Sequence, residues 1–223
     1  MTGTIADLVR TLFGESTQTV DIIILLTVLT LLPTIIIMLT GFTRIVIVMG
    51  FIRNALGMQQ TPPNQVIIGL SLFLTFFVMA PVFTEVYEDA YKPYSAGEIT
   101  QTEFFERALV PTREFMFRQA QNSDLTFFMK LSGQDTPVDS PDDIPTSALI
   151  PAFMTSEIKT AFRIGFYIYI PFIVIDMVVA STLMAMGMMM LPPAMISLPF
   201  KVMLFVMVDG WQLVIGTVVS SFG

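Results

Sequence analysis

The sequence predicts an all-α, membrane-associated protein in which two helical hairpins flank a small acidic helical insert. Of its 223 residues, 54% are hydrophobic and only 13% are charged, which is unusual for a soluble domain. The charge is also uneven, since residues 84–162 hold 13 acidic and 6 basic side chains and the remainder holds five of each. A third observation is a repeat: Gly-Met-Gln-Gln-Thr-Pro-Pro at residues 57–63 returns as Gly-Met-Met-Met-Leu-Pro-Pro at residues 187–193.

The repeated segments predict the tips of the two hairpins, because each lies between long apolar runs. Residues 22–43 are uncharged, and at about 1.5 Å per residue they are long enough to cross a hydrocarbon core of about 30 Å. Glycine commonly ends a helix and proline commonly starts one. Duplication and convergent turn chemistry both account for the match. We assign a geometric role to Gly57, Pro62, Pro63, Gly187, Pro192 and Pro193.

Composition divides the chain into three parts. Residues 1–83 form an N-terminal apolar segment and the first hairpin, residues 84–150 the acidic insert, and residues 151–223 the second hairpin. Phenylalanines at helical spacing among the charges of the insert predict two or three short helices with a small core. No positively charged segment leads into an apolar run at the N-terminus. We expect either that the first apolar segment directs insertion or that a signal has already been removed.

The residue types that are missing narrow the function. The chain has no cysteine and no histidine, which excludes disulfides, thiolate nucleophiles, Cys/His zinc sites and Ser-His catalysis. No phosphate-binding loop or nucleophile elbow occurs. An acidic balance also disfavours nucleic acid as a partner. We therefore expect no enzyme activity, no cofactor and no metal.

Several long segments resemble one family. They are Phe-Thr-Arg-Ile-Val-Ile-Val-Met-Gly at residues 42–50, Arg-Asn-Ala-Leu-Gly at 53–57, Pro-Pro-Asn-Gln at 62–65, Pro-Ala-Phe-Met-Thr-Ser-Glu-Ile-Lys-Thr-Ala-Phe-Arg-Ile-Gly-Phe at 151–166, Ile-Asp-Met-Val-Val-Ala-Ser at 175–181, the second tip, and Val-Asp-Gly-Trp-Gln-Leu at 208–213. Together they closely resemble the FliP family of flagellar type III export-gate membrane proteins. The resemblance covers roughly residues 32–213 and is weakest in the acidic middle.

The resemblance implies a pore-forming subunit of the flagellar export gate, through which unfolded flagellar subunits cross the bacterial inner membrane at the basal body. Several copies would assemble helically with FliQ and FliR homologues, beside other export-apparatus membrane proteins. Virulence injectisome relatives share the pattern, and residues 62–65 and 209–212 favour the flagellar branch. The acidic insert is expected outside the cytoplasm, in keeping with the positive-inside rule.

The methionines of the second tip are the sharpest site prediction. Unbranched thioether side chains can pack into a closed ring and still yield around different polypeptides. On composition alone, methionine filling an irregular helix–turn core is the simpler interpretation, whereas the resemblance favours a gasket. The candidates are Met186, Met188, Met189 and Met190.

Four charges lie inside apolar segments, where each needs a partner or water: Arg44, Asp176, Lys201 and Asp209. If the second hairpin turns at residues 190–192, Lys201 lies about ten residues down one side and Asp176 about fifteen down the other, a mismatch of roughly 7 Å. We therefore predict that these charges make contacts between subunits, with exposure to an aqueous lumen as the alternative. Glu157 and Lys159 predict a solvated helix face. The resemblance, however, makes Glu157 a candidate for holding neighbouring copies together.

Two other functions compete with the export gate. Asp176 and Asp209 on adjacent apolar segments are also typical of intramembrane proteases, whose paired carboxylates share a proton, but the Gly-x-Gly-Asp context is missing. Two related halves with prolines and buried charges are also typical of a small-solute channel or transporter. A transporter should work as a monomer or dimer, whereas an export gate should be a higher oligomer.

Overall fold

The computed structural model describes residues 18–58, 60–133, 144–188 and 190–223, and within these ranges the secondary structure is helical, with no strand. The all-α prediction is confirmed. The helices are α1 (Gln18–Leu39), α2 (Phe42–Ala55), α3 (Asn64–Val86), α4 (Lys92–Ser95), α5 (Gln101–Gln119), α6 (Asn122–Leu131), α7 (Thr146–Ala185), α8 (Pro193–Met207) and α9 (Gly210–Ser220), with a π-helical turn at Tyr87–Tyr91 between α3 and α4.

The chain forms two compact units. The first unit comprises the described parts of Met1–Thr40 and Met79–Met154, and the second unit comprises Gly41–Val78 and Thr155–Gly223. Helices α3 and α7 contribute to both. The sequence analysis divided the chain into three parts by their polarity, and those parts differ from the two compact units. The three-part division stays a prediction.

The first unit contains the acidic insert and has a small core of its own. Phe115 packs edge-on against Phe153 with ring centroids 5.9 Å apart. Helix α5 starts with a capping box, in which Thr100 Oγ1 accepts a hydrogen bond from the Glu103 N–H at 3.3 Å and the Glu103 carboxylate accepts one from the Thr100 N–H at 2.8 Å. The bond from the Thr100 backbone holds the pKa of the exposed Glu103 carboxyl below its ordinary value. The short helices predicted for the insert are present; most of its expected loop, residues 134–143, lies outside the described residues.

In the second unit, α2 and α7 run side by side in the same direction. Arg44 bonds Glu157, 113 residues later, and further along both helices Phe51 meets Phe162 edge-on at 5.2 Å. Gly165 permits this approach, because a Cβ there would lie 2.5 Å from the Phe51 ring. A buried apolar core fills the space around these contacts: Ile45, Val48, Met49, Ile52, Ala55, Leu56, Ile67, Ala161, Phe172, Phe205, Val214 and Val218.

The return from the second tip is made by two helices. Helix α8 runs antiparallel to α7. Lys201 bonds Asp176, and Phe205, four residues later on α8, lies with its ring centroid 6.4 Å from that of Phe172, four residues earlier on α7. The chain then bends by 65° and continues as α9, which returns beside α2. Asp209 stands at the bend in the left-handed region, with φ 48° and ψ 48°. Helix α7 is a single helix of 40 residues, and Pro171 lies inside it without ending it.

Both tips use the same backbone hydrogen bonds. The Gly57 N–H donates to the Asn54 carbonyl and the Met58 N–H to the Arg53 carbonyl, while at the second tip the Gly187 N–H donates to Met184 and the Met188 N–H to Leu183. Gly57 and Gly187 both have φ 75°, the left-handed conformation that ends a helix in this pattern.

The tips are staggered along α7. They are 130 residues apart in sequence, but neighbouring residues of α2 and α7 are 113 residues apart, so the second tip lies 17 residues beyond the first. Seventeen helical residues span about 25 Å. The portion of α7 and α8 beyond the first tip, residues 171–207, is called the arm below.

Within the residues that the structure describes, two continuous helical stretches are long and apolar enough to cross a membrane. They are Asn64–Ser95, which comprises α3, the π-helical turn and α4, and Thr146–Ala185, which is α7. Up to four spans result if each of two bent pairs counts as one, Pro33–Leu39 with Phe42–Ala55 and Pro193–Met207 with Gly210–Ser220. By length and composition the helices are those of a membrane-embedded protein.

The glycines of α2 and of the tip that follows it predict opposite effects of one substitution. Gly57→Ala should lower the free energy of unfolding by about 1 to 2 kcal/mol, because a Cβ is strained at positive φ. Gly50→Ala should raise it by roughly 0.5 to 1 kcal/mol, because Gly50 lies within α2 with open space around its Cβ position. Denaturant titration of the purified chain in detergent measures both; equal effects of the same sign would contradict the tip geometry.

Candidate functional site

The arm is apolar on nearly all sides. It carries just two charged residues, Asp176 and Lys201. Apart from the tip itself, eight apolar side chains of the arm are more than half exposed: Val174, Met177, Val178, Met184, Met195, Met203, Val206 and Met207. Such a surface needs a cover, which lipid or other protein can supply.

The predicted gasket residues lie at the far end of the arm. Met190 is 97% exposed, Met186 65% and Met188 37%, while Met189 lies outside the described residues. These side chains do not fill a core of the hairpin turn, which was the simpler interpretation of the sequence. They form an apolar cap that the rest of the chain leaves uncovered.

The two charges of the arm meet in one chain. Lys201 Nζ lies 2.6 Å from Asp176 Oδ2, and Ser197 Oγ donates to Asp176 Oδ1 at 2.6 Å. The expectation of a mismatch of roughly 7 Å, on which the prediction of contacts between subunits rested, does not hold. It counted the loop residues 186–192 as if they were helical; nine residues separate Asp176 from the end of α7 and eight separate Lys201 from the start of α8, so the two lie level without any tilt.

A second charged pair, below the level of the first tip, ties three segments together. Arg44 is 1% exposed and Glu157 is fully buried. Arg44 Nε donates to Glu157 Oε2 at 3.0 Å, Nη2 donates to Oε1, and Nη1 donates to the Ser221 carbonyl at 2.7 Å. The guanidinium also lies 3.9 Å from the centroid of the Phe222 ring. Glu157 is therefore not part of a solvated face, whereas Lys159 is exposed.

Asp209 differs from these acids. It is exposed at the bend between α8 and α9, and no ion pair within 4.0 Å involves it in the described part of the chain. The bend was missed by the sequence analysis, although the Asp-Gly dipeptide at residues 209–210 is a turn signal. Gly210 is required there because a Cβ would lie 2.3 Å from the Phe205 ring.

Two grooves of the second unit are lined almost entirely by apolar side chains, and a third, of about 270 Å³, includes Asp209 and Gln212. One of about 490 Å³ lies between the lower part of α7 and the bend, and one of about 550 Å³ lies between the two helices of the arm. Among the described residues, no three acidic side chains come together in a way that could hold a metal ion. The candidate functional features of this unit are therefore an apolar arm, its methionine tip and a few charges.

Comparison with known proteins agrees with these features. The FliP family matches residues 25–218. The chain belongs to the FliP family. It is 55% identical over 210 residues to the flagellar biosynthetic protein FliP of Pectobacterium carotovorum subsp. carotovorum, covering 94% of this chain and 81% of that one. It is 53% identical over 205 residues to FliP of Bacillus subtilis (strain 168), covering 92% of each chain, and 47% identical over 212 residues to FliP of Aquifex aeolicus (strain VF5), covering 94% and 88%.

The buried Arg44–Glu157 pair predicts a large effect of removing one partner. Glu157→Ala should lower the free energy of unfolding by about 3 to 5 kcal/mol, because Arg44 is left charged and buried. Replacing both, as Arg44→Met with Glu157→Leu, should recover most of that loss. Denaturant titration in detergent is the measurement, and a loss below about 1 kcal/mol for Glu157→Ala would show that the pair does not hold the helices together.

The Asp176–Lys201 pair predicts rescue within one chain only. Asp176→Lys should reduce the amount of folded protein, and adding Lys201→Asp to the same chain should restore it. Co-expressing Asp176→Lys and Lys201→Asp as separate chains should not restore it, because each chain then holds two like charges. Size-exclusion chromatography after detergent extraction gives the yield; rescue by separate chains would mean that the pair forms between copies.

Proposed function

We propose that the chain is a pore-forming subunit of the flagellar protein export gate in the bacterial inner membrane, and that unfolded flagellar subunits pass between its copies. Membership of the FliP family and the name of its relatives, flagellar biosynthetic protein, support the flagellar branch. The observation that carries the proposal is the arm: a pair of helices reaching about 25 Å beyond the first tip, apolar around its sides, and ending in exposed methionines.

The arm alone does not make a conduit, because two helices enclose no pore. Several copies arranged around an axis would cover the sides of one another's arms and bring their tips together. The one ion pair of the arm is satisfied within the chain, so packing the arms together leaves no charge of the arm without a partner. This arrangement is the predicted helical oligomer around a pore.

Methionine suits the closing of such a pore. A ring of Met186, Met188, Met189 and Met190 from several copies would exclude ions by close apolar packing. Because the side chain is unbranched and has three rotatable bonds, the same ring can rearrange around chains of different sequence. The closed state is then tight to water and ions, and the open state is tolerant of cargo.

The rest of the assembly follows from the family. FliQ and FliR homologues and other export-apparatus membrane proteins are the proposed partners, at the flagellar basal body. Residues 84–150 form the soluble insert, which we place outside the cytoplasm because it is acidic. A corresponding role in a virulence injectisome is the second candidate, since injectisome relatives share much of the pattern.

Two alternatives have less support. An intramembrane protease needs two carboxylates that share a proton, but Asp176 is already bonded to Lys201 and Ser197. A small-solute transporter needs several polar groups that converge on a site near the membrane midplane. Two grooves of the second unit are lined almost entirely by apolar side chains, and a smaller third groove adds only Asp209 and Gln212.

The gasket predicts a leak when the tip methionines are shortened. Replacing Met186, Met188, Met189 and Met190 with alanine should leave the complex intact and raise the ion conductance of the resting membrane above background. The matched control is Met58→Ala, which changes the equivalent position of the first tip and should not leak. Conductance of planar bilayers containing the purified complex is the measurement.

Two results bear on this proposal. Background conductance in the alanine variant, with the oligomer intact, would remove the gasket. The mass of the wild-type complex, extracted with its FliQ and FliR partners, gives the number of copies of this chain. One or two copies would contradict the export-gate proposal and favour the transporter.

A further inference from the structure

The second unit contains three carboxylates, and two of them are neutralised inside the chain. Glu157 bonds Arg44 and Asp176 bonds Lys201. Asp209 is the third, and the described residues provide it with no cation within 4.0 Å. It lines a small groove with Val206, Trp211 and Gln212, where Gln212 is the one other polar side chain that the groove contains. A charge in such surroundings is costly unless it is paired or hydrated.

One cation of the second unit has unused hydrogen-bonding capacity. Arg53, at the end of α2, donates from Nη1 to Asn64 Oδ1. Its Nε is buried and has no acceptor in the described part of the chain. A guanidinium has five N–H donors and binds carboxylates through two of them at once. Because Nε is buried and cannot reach a neighbouring copy, the donors available to a carboxylate from outside the chain are the Nη2 N–H groups and the second N–H of Nη1.

The two residues lie at the same level of the unit. Residues of α2 lie beside residues about 113 positions later on α7, which puts Arg53 level with residue 166. Helix α8 passes α7 with Phe205 beside Phe172, and continuing this antiparallel register puts Asp209 level with residue 168. The difference is about 3 Å along the axis. Arg163, on α7 itself, lies about 7 Å below Asp209, farther than Arg53.

We infer that Arg53 of one copy pairs with Asp209 of the next copy in the assembly. A ring or shallow helix is built from heterologous contacts, in which one patch of a subunit meets a different patch of its neighbour at nearly the same height. The first-tip side of the unit carries the cation, and the bend between α8 and α9 carries the anion. The pair lies at the base of the arms and closes the contact between neighbouring subunits below the methionine tips. This inference rests on the proposed assembly of several copies.

Charge reversal in trans tests the pair. Arg53→Asp alone and Asp209→Arg alone should each lower the amount of intact oligomer at least about tenfold, because like charges face each other at every interface. Co-expressing the two single variants should restore it, since an alternating arrangement puts Arg beside Asp at each contact. The mass of the detergent-extracted complex, with each chain tagged differently, gives the oligomer yield and shows that both chains are present.

Three controls make the result specific. Asn64→Ala removes the partner of Arg53 in its own chain and should leave the oligomer yield unchanged. Co-expressing Arg163→Asp with Asp209→Arg should give oligomers of the Arg163→Asp chain, which keeps both Arg53 and Asp209, and these should exclude the Asp209→Arg chain. Circular dichroism and size-exclusion chromatography of each single variant should show a folded monomer. If the reversals unfold the chain, the single neutral variants Arg53→Gln and Asp209→Asn take their place: each should lower the oligomer yield, and the chain that carries both should recover most of it, because no charge is then left unpaired. Equal yields for all three would overturn the pair.

The outcomes separate this inference from the proposed function. An intact wild-type oligomer that single reversals leave unchanged, or that co-expression fails to restore while the monomers are folded, overturns the Arg53–Asp209 pair alone. Entry of the Asp209→Arg chain into mixed oligomers when Arg163→Asp takes the place of Arg53→Asp would assign the contact to Arg163 and also overturn the pair. A wild-type chain that forms no oligomer overturns both the pair and the export gate.

Discussion

The buried pair of Arg44 and Glu157 sets the register between α2 and α7, and most of the functional geometry depends on that register. Apolar helices alone can slide past each other with little loss of packing. Two charges in a dry interior cannot, because a shift of one turn would leave both unpaired at a cost of several kcal/mol. Bonds from Arg44 to the Ser221 carbonyl fix α9 in the same place. The stagger of the tips, the length of the arm and the shared level of Arg53 and Asp209 all follow from this one contact.

The arm shows how an apolar surface can serve a function. A single chain exposes methionine, valine and isoleucine along most of the arm, which is unfavourable in water and unspecific in lipid. In an assembly the same side chains become the interior of a bundle, and the charges of the arm, already paired within the chain, do not oppose its closure. In the proposed gate, methionine at the tip would combine a dry seal with the freedom to rearrange. Stability of the subunit and closure of the proposed pore would then use separate residues.

Sequence alone predicted the all-helical fold, the two hairpins and the glycine–proline tips, because these depend on local backbone preferences and hydropathy. It also identified the charges that need partners. It could not assign those partners, since pairing depends on how many residues of each loop are helical. Counting the seven loop residues between α7 and α8 as helical placed Lys201 at a different level from Asp176. Nor could it show that Glu157 is buried, because an acidic residue near Lys159 and Arg163 is usually solvated. The Asp209–Gly210 bend did carry a turn signal, which the surrounding apolar run obscured.

The central claim is that the tips of several copies converge on one axis. The chain has no cysteine, so Met190→Cys places a single thiol at the most exposed tip residue. Oxidation of the intact complex in its native membrane, followed by electrophoresis without reductant, tests convergence directly, because a disulfide requires Cα atoms within roughly 7 Å. The account predicts efficient formation of chain dimers. Thiols that stay unlinked and react instead with a lipid-soluble maleimide would place the tips on the outer perimeter and contradict it.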